Sequence, residues 1–174
     1  MDIYDYKKII LVGSGGSGKS WLSKRIAKAT NYPLYHLDNE FWKPDWVMAT
    51  KEEKVMRYSE IFAGEAWIID GNYNSTMELR FVAADLIIFL DIHRFVCILS
   101  AARRAGRKRS DLPGYLVESR WYSKKFFGFA KWLWEYPITF RPRVLALRDM
   151  YPHKMFLHIR SRREVRGLLW KWGI

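Results

Sequence analysis

The sequence has one cysteine, no leader pattern and no hydrophobic run long enough to span a membrane. A single cysteine, Cys97, excludes an internal disulfide framework and a cysteine-rich zinc site, which fits a reduced, cytoplasmic protein. No charged-then-apolar segment precedes the first strand pattern, so we expect no secretion signal. The most apolar late stretch, residues 126–140, contains Lys131, Glu135 and Pro137. It is too short and too charged to cross a bilayer, and we expect no membrane partner.

Acidic residues are scarce in the second half of the chain. Residues 1–90 hold 11 basic and 12 acidic side chains, whereas residues 91–174 hold 19 and 6, within a total net charge of +12. This asymmetry points to a polyanionic partner such as nucleotide phosphates, nucleic acid or anionic lipid, although a solvated basic surface would look the same. With 174 residues, 49% of them apolar, the chain suits one globular domain and not a disordered protein.

Apolar runs alternate with helical patterns along the chain. This alternation predicts an α/β fold in which helices cover both faces of a parallel sheet, with functional groups at the carboxyl ends of the strands. The strands are predicted at residues 8–12, 34–37, 67–69, 86–90 and 155–159. A helix is predicted from residue 115 to 150 with a break at Pro137. Three Ser/Thr-x-x-Glu patterns predict capped helix starts: Thr50 with Glu53, Ser75 with Glu78, and Ser161 with Glu164.

A glycine-rich segment follows the first strand and fits G-x-x-x-x-G-K-[ST] at every fixed position. Main-chain N–H groups in such a loop can wrap the phosphates of ATP, with a helix N-terminus pointing at them. Lys19 would reach the β- and γ-phosphates and Ser20 would bind Mg²⁺. The alternative is a flexible Gly/Ser turn. The cofactor-binding residues of the segment are Gly13, Ser14, Gly15, Gly16, Ser17, Gly18, Lys19 and Ser20.

Two aspartates end the second and third predicted strands. Asp70 can bind Mg²⁺ directly or through water, although Asp-Gly is also an ordinary turn pair. Asp38 could orient an acceptor or take the proton of its hydroxyl, although it could instead cap a turn. The aromatic segment 41–46 could stack on a base or cover a small acceptor, or it could fold onto the core. The other tryptophans are expected to pack in the core or between helices: Trp121, Trp132, Trp134, Trp170 and Trp172.

The segment 103–109 carries five cationic side chains in seven residues. It could form a lid whose arginines neutralise charge on a moving phosphoryl group, with Arg104, Arg107 and Arg109 as candidates. The alternative is a solvated basic helix end, which the helix dipole favours. Arg162 follows the last strand, where it could stack on a nucleoside base. Two further arginines that could face an acceptor, but that we expect at the surface, are Arg57 and Arg80.

Several motifs together resemble known families. Residues 9–20 are similar to the start of adenylate kinase-like and shikimate kinase-like P-loop kinases. The combination of His36-Leu37-Asp38, the aromatic segment, 67–73 and 84–91 resembles the adenylate kinase-related DNA topology modulation proteins (FlaR-type). The arginine-rich segment, Asp111-Leu112-Pro113 and the late tryptophan-rich helix add to this resemblance, which covers almost the whole chain.

The resemblance implies a P-loop NTPase fold of the nucleoside monophosphate kinase type. We expect three α/β/α layers, a five-stranded parallel sheet of order 2-3-1-4-5, and a helical, arginine-rich, mobile lid. Residues 1–174 would form a single kinase domain, with an acceptor-side region at 38–64 and a lid region at 104–136 as insertions. ATP and Mg²⁺ would be the cofactors.

The acceptor side departs from the adenylate kinase pattern. Adenylate kinases read Asp-Gly-Phe-Pro-Arg after the third strand, and that arginine holds the acceptor phosphate. Here Asp70-Gly71 is followed by Asn72-Tyr73-Asn74, so the arginine is missing at that place. Asp38 matches the aspartate that shikimate kinases place after the second strand.

The sequence therefore predicts an ATP-dependent phosphotransferase. It would transfer the γ-phosphoryl group of ATP to a nucleotide or a small hydroxyl-bearing acceptor, with Lys19, Asp38, Arg104 and Arg107 as catalytic residues. The alternative is a nucleotide-dependent DNA-binding protein of the topology modulation type, which would grip DNA phosphates through the basic second half. A third possibility is an ATP-binding fold that has lost its acceptor chemistry. No helix-turn-helix or zinc-finger pattern is evident in the sequence.

Overall fold

Runs of isoleucine, leucine, valine and phenylalanine form the central strands of a five-stranded sheet. In the computed structural model, which describes residues 1–107, 110–116 and 120–174, these strands are β1 (Lys8–Gly13), β2 (Leu34–His36), β5 (Trp67–Asp70), β6 (Leu86–Leu90) and β7 (Met155–Ile159). Every neighbouring pair is parallel, in the order β2-β5-β1-β6-β7. The fold class is as predicted, and the order becomes 2-3-1-4-5 when only these five strands are counted.

Two short strands outside this sheet account for the difference in numbering. β3 (Trp42–Lys43) and β4 (Val47–Met48) pair antiparallel in a separate hairpin within the aromatic segment. A 3₁₀ turn over Pro44–Trp46 connects them. The hairpin projects beside the carboxyl end of β2, where it forms part of the candidate site described below.

Helices flank the sheet on both faces. They are α1 (Lys19–Thr30), α2 (Leu37–Phe41), α3 (Lys51–Phe62), α4 (Met77–Ala83), α5 (Arg94–Arg104), α6 (Lys124–Thr139), α7 (Arg141–Met150) and α8 (Arg162–Trp172). Across the three described ranges, none of the helices has the length and apolar character needed to span a bilayer.

Alternate residues of each buried strand point into two separate core clusters, as parallel strands covered on both faces require. One cluster contains Ile10, Ile69 and Phe89 and is covered by side chains from α3, α4, α6 and α7. The other contains Leu11 and Ile88 and is covered by α1, α5 and α8. Burial of each such side chain contributes about 1.5–3 kcal/mol, so the sheet is the rigid frame of the molecule.

The long helical prediction after residue 115 is partly wrong. Within the described residues the helix begins at Lys124, and it is interrupted at Phe140, between α6 and α7. Pro137 lies inside α6, where it removes one hydrogen bond near the helix end. Pro142 has no N–H to donate to the carbonyl of Ile138, so the ladder is interrupted again at the start of α7.

Two of the three predicted caps form. The Thr50 hydroxyl accepts a bond from the Glu53 N–H at 3.2 Å, and the Glu53 carboxylate accepts one from the Thr50 N–H at 2.8 Å. Ser161 caps α8 in the predicted place. The Ser75 cap is wrong, because residues 74–76 form a 3₁₀ turn and the Glu78 carboxylate accepts a bond from the Tyr151 hydroxyl.

The single-domain boundary and its two insertions stay predictions. Part of the lid region, Lys108, Arg109 and residues 117–119, lies outside the described residues.

The two Ser/Thr-x-x-Glu sequences with opposite outcomes provide a matched test. Thr50→Ala removes a formed capping bond and should lower the free energy of unfolding by about 1 kcal/mol. Ser75→Ala removes an exposed hydroxyl that does not cap, and should change it by less than about 0.5 kcal/mol. Urea denaturation of both variants measures the difference, and equal effects would contradict the assignment of the cap.

Candidate active site

The glycine-rich loop leaves the end of β1 and enters α1 through positions that admit no side chain. Gly13 and Gly16 have φ angles of +147° and +76°, in the region that favours glycine. A Cβ at Gly13 would lie 2.5 Å from the carbonyl oxygen of Leu90, and one at Gly16 would collide with the carbonyl oxygen of Cys97. The loop is therefore packed tightly against β6 and α5.

Lys19 folds back over this loop. Its Nζ donates to the carbonyl oxygens of Gly13 at 2.8 Å and Ser14 at 2.9 Å. Burial lowers the pKa of Lys19, and the carboxylates of Asp70 and Asp38 oppose that shift. The Nζ of Lys19 is thus held at the mouth of the loop, in the electrostatic field of the carboxylates that follow β2 and end β5.

Asp70 is buried at the carboxyl end of β5, with 6% of its surface exposed. Its Oδ2 accepts a bond from the Ser23 hydroxyl at 2.9 Å, and Nδ1 of His36 lies 2.8 Å from the same oxygen. The predictions made from the sequence do not include the pairing of His36 with Asp70. The available signal was strand register, because adjacent β2 and β5 align His36 with Asp70. Ser20 lies three residues before Ser23 on α1 and lines the adjoining cavity.

The segment after β5 is held by a buried guanidinium. Arg80 is fully buried and donates to the carbonyl oxygens of Gly71 at 2.7 Å and Tyr73 at 2.8 Å. Burial lowers the pKa of Arg80. The expectation that Arg80 lies at the surface or faces an acceptor is wrong, because its side chain is fully buried and its guanidinium donates to main-chain carbonyls.

The same segment ties neighbouring parts of the site together. The Asn72 Oδ1 accepts a bond from the Gly13 N–H at 3.0 Å, and the Tyr73 hydroxyl donates to the Asp38 Oδ1 at 2.9 Å. Burial and the nearby Asp38 carboxylate raise the pKa of Tyr73, so its hydroxyl remains a donor. These contacts fix the glycine-rich loop and Asp38 relative to β5. Sequence reasoning noted Asn72 and Tyr73 only as a departure from the adenylate kinase motif.

One cavity of about 1160 Å³ brings most of the predicted site residues together. Its lining includes residues Gly15 to Ser20, with Asp38, Asp70, Arg104 and Arg162. Gly13 and Ser14 are buried at the start of the loop. Arg107 is exposed and is not part of the lining, while Arg109 lies outside the described residues. Such a volume has room for two ligands of ordinary size.

Aromatic side chains form much of the cavity wall. Trp42 and Trp46 line it, with ring centroids 5.4 Å apart. Phe41 is instead buried in the core. The aromatic segment therefore faces the cavity with its tryptophans and folds onto the core with its phenylalanine. Phe129 of α6 also lines the cavity and packs closely against the loop, since a Cβ added at Gly15 would lie 2.8 Å from its ring. Trp132, expected only to pack, also lines the cavity.

The other tryptophans with a predicted packing role do not line the cavity, and neither does Arg57. Trp121 and Trp170 are exposed, contrary to the prediction that they pack in the core or between helices, and Trp172 is buried as predicted. Arg57 forms ion pairs with Glu40 at 2.7 Å and Glu60 at 2.6 Å. It is therefore a surface residue already engaged on α3.

No protein-family model and no curated protein matches this sequence. The fold is nevertheless similar to solved kinases. A shikimate kinase from Acinetobacter baumannii in complex with shikimate gives a TM-score of 0.56 at 13% identity, over 95% of this chain and 92% of that one. A shikimate kinase from Bacteroides thetaiotaomicron gives 0.54 at 17% identity, over 97% and 99%. A deoxyadenosine kinase from M. mycoides with bound dATP gives 0.53 at 14% identity, over 95% and 99%.

These similarities show a kinase-like α/β fold. This fold agrees with the resemblance of residues 9–20 to adenylate kinase-like and shikimate kinase-like P-loop kinases. They do not bear on membership of the DNA topology modulation group, which stays a prediction.

Glycine packing in the loop gives a second matched test. Gly16→Ala places a methyl group against the Cys97 carbonyl and should lower the free energy of unfolding by about 2 kcal/mol or more. Gly128→Ala, in α6 with open space around it, should raise it by about 0.5–1 kcal/mol. Denaturant unfolding measures both, and a neutral Gly16→Ala would contradict the tight packing of the loop.

Proposed function

We propose that the protein is an ATP- and Mg²⁺-dependent phosphotransferase acting on a hydroxyl-bearing small molecule or nucleotide. The observation that carries this proposal is that one cavity is lined by Lys19 and its glycine-rich loop and also by Asp38, Asp70 and Arg104. A phosphate cradle, a carboxylate for Mg²⁺, a carboxylate for an acceptor and a cation for the transferred group are the parts that phosphoryl transfer needs.

The donor side fits a nucleoside triphosphate. The loop leads into the N-terminus of α1, whose N–H groups favour an anion. The hydroxyl of Ser17, which lines the cavity, is buried without a hydrogen-bond partner among the described residues, as expected for a group awaiting a ligand. Arg162 and Arg166 line the same cavity from α8, where a nucleotide could contact them. ATP would supply the γ-phosphoryl group.

Ser20 and Asp70 would hold Mg²⁺. Both are oxygen ligands lining the cavity beside the loop. Mg²⁺ in such sites keeps several waters and takes the rest of its ligands from phosphates. A site of this kind needs no larger cluster, and the described residues contain no group of three or more His, Cys, Asp or Glu side chains suited to a metal. Ser23 and His36 would orient the Asp70 carboxylate.

Asp38 would act on the acceptor. Its carboxylate, fixed by the Tyr73 hydroxyl, would take the proton of the acceptor hydroxyl as the new P–O bond forms and the bond between the β- and γ-phosphates breaks. Lys19 and Arg104 would neutralise charge on the transferred group, and ADP would leave. We also propose that Arg107 and the lid region at 104–136 close over the nucleotide.

The DNA-binding alternative rests on the charge of the second half and on the resemblance to the DNA topology modulation group. Four of the cations in that half line the cavity, where a polyphosphate accounts for them: Arg104, Lys125, Arg162 and Arg166. A steep loss of tight DNA binding with rising salt would favour the alternative. ADP production that depends on a particular added acceptor would favour the phosphotransferase.

Removal of the loop lysine tests the donor side. Lys19→Ala should lower ATP turnover by about 100-fold or more, because the developing charge loses its fixed counter-ion. Lys28→Ala, an exposed change on the same helix, should leave turnover within about twofold. ADP release measures both, and circular dichroism confirms that each variant is folded. Unchanged turnover in Lys19→Ala would refute the assigned role.

Neutralisation of the acceptor carboxylate tests the other side. Asp38→Asn keeps the shape of the side chain but cannot take a proton, so acceptor-dependent transfer should fall by about 100-fold or more. Binding of Mg²⁺-ATP, measured by calorimetry, should change by less than about threefold, because Asp38 does not form part of the loop. An equal loss of transfer and ATP binding would assign Asp38 a structural role instead.

A further inference from the structure

Asn72 and Tyr73 follow β5 at the place where the sequence departs from the adenylate kinase pattern. The proposed function gives roles to Asp38 and Asp70, whereas it gives none to Asn72. Asn72 lines the cavity, and its side chain is hydrogen-bonded to the glycine-rich loop. The bonds around Asn72 indicate what this departure from the pattern does.

The hydrogen-bond ladder between β1 and β5 changes its partner where the glycine-rich loop begins. The Gly71 N–H still donates to the carbonyl oxygen of Leu11, at 3.3 Å. In a regular parallel ladder the Gly71 carbonyl would accept the next bond, from the Gly13 N–H. That carbonyl instead accepts from the Arg80 guanidinium at 2.7 Å, and the Gly13 N–H donates to the Asn72 Oδ1 at 3.0 Å. A side-chain amide thus takes the place of a main-chain acceptor.

The main chain is held on both sides of Asn72. Arg80 donates to the carbonyl oxygens of Gly71 at 2.7 Å and Tyr73 at 2.8 Å. A Cβ at Gly71 would lie 2.7 Å from the Cβ of Leu37, so the segment is also packed closely against the residue that precedes the acceptor carboxylate. The Asn72 amide is therefore presented from a rigid support, as a positioning group requires.

Asn72 fixes the first residue of the glycine-rich loop. The Gly13 N–H donates to Asn72 and the Gly13 carbonyl accepts from Lys19, so both polar main-chain groups of this buried residue have side-chain partners. Without the amide, the buried N–H would lose its partner, and the loop would leave this arrangement for part of the time. A loop that is in place for only part of the time binds phosphates more weakly, in proportion to that fraction.

We infer that Asn72 is a positioning residue of the nucleotide site, which holds the glycine-rich loop in register with the segment after β5 through the Gly13 N–H. This inference rests on the proposed function and adds a residue to its donor side. The same segment carries Tyr73, whose hydroxyl donates to Asp38, so the loop and the acceptor carboxylate share one support. Asn72 acts on the ATP side of the transfer and Tyr73 on the acceptor side.

Calorimetry of the whole protein with Mg²⁺-ATP tests this role. Asn72→Ala removes the amide, and Asn72→Leu removes it while keeping a side chain of similar size. Each should raise the Kd for Mg²⁺-ATP by about tenfold or more. Tyr73→Phe, which removes only the hydroxyl bonded to Asp38, should leave this Kd within about twofold.

An asparagine outside the cavity lining provides the matched control. Asn39→Ala makes the same change at an exposed position and should leave the Kd for Mg²⁺-ATP within about twofold. Circular dichroism at the temperature of the titration identifies the variants that are folded. A merely structural role would lower the stability of the Asn72 variants and leave the Kd of the folded protein unchanged. An unchanged Kd in a folded Asn72 variant therefore overturns the inference.

Hydrogen exchange separates positioning from direct contact with the nucleotide. If Asn72 acts through the Gly13 N–H, the Gly13 amide of the ligand-free protein should exchange about tenfold faster in Asn72→Leu than in the wild-type protein. The amide of Ile10, in the middle of β1, should exchange within about twofold of its wild-type rate. NMR spectroscopy measures both amides. A weaker Kd with unchanged exchange at Gly13 would make Asn72 a direct ligand contact and would contradict the positioning role.

Failure of this inference and failure of the proposed function give different results. If the wild-type protein does not bind Mg²⁺-ATP, the proposed function fails, and the exchange of Gly13 still shows whether Asn72 holds the loop. If the wild-type protein binds Mg²⁺-ATP and the folded Asn72 variants bind it equally well, the proposed function stands and only the role of Asn72 is wrong.

Discussion

The close approach of two glycines in the glycine-rich loop to two neighbouring backbones is the constraint on which the rest of the site depends. Gly13 packs against the carbonyl group of Leu90 and Gly16 packs against that of Cys97, so β6 and α5 fix the path of the loop. Lys19 can then fold over the loop carbonyls. The geometry of the loop is therefore a product of core packing and not of the loop sequence alone.

Much of the frame could be predicted because buried parallel strands are continuous apolar runs in the sequence, and the phosphate loop has a fixed spacing. The rest depends on tertiary contacts that have no local signal. Glu78 has the spacing of a cap yet bonds to Tyr151, far along the chain. Arg80 looks like a surface residue, but the carbonyls of the segment after β5 require its buried guanidinium. The pairing of His36 with Asp70 follows only from strand register.

The cavity accounts for part of the charge asymmetry of the sequence, because several cations of the second half line it. The basic second half contributes Arg104, Lys125, Arg162 and Arg166 to the cavity lining, whereas the nearly neutral first half contributes Lys19, carboxylates and tryptophans. In the proposed function, the glycine-rich loop lies where the phosphoryl group would pass from one ligand to the other.

The most direct measurement of the central claim is isothermal titration calorimetry of the whole protein with Mg²⁺-ATP. The account predicts saturable binding with one ATP per chain, and much weaker binding of adenosine at this donor site, because the loop recognises the phosphates. Absence of saturable heat, or equal binding of adenosine and ATP to the donor site, would contradict it.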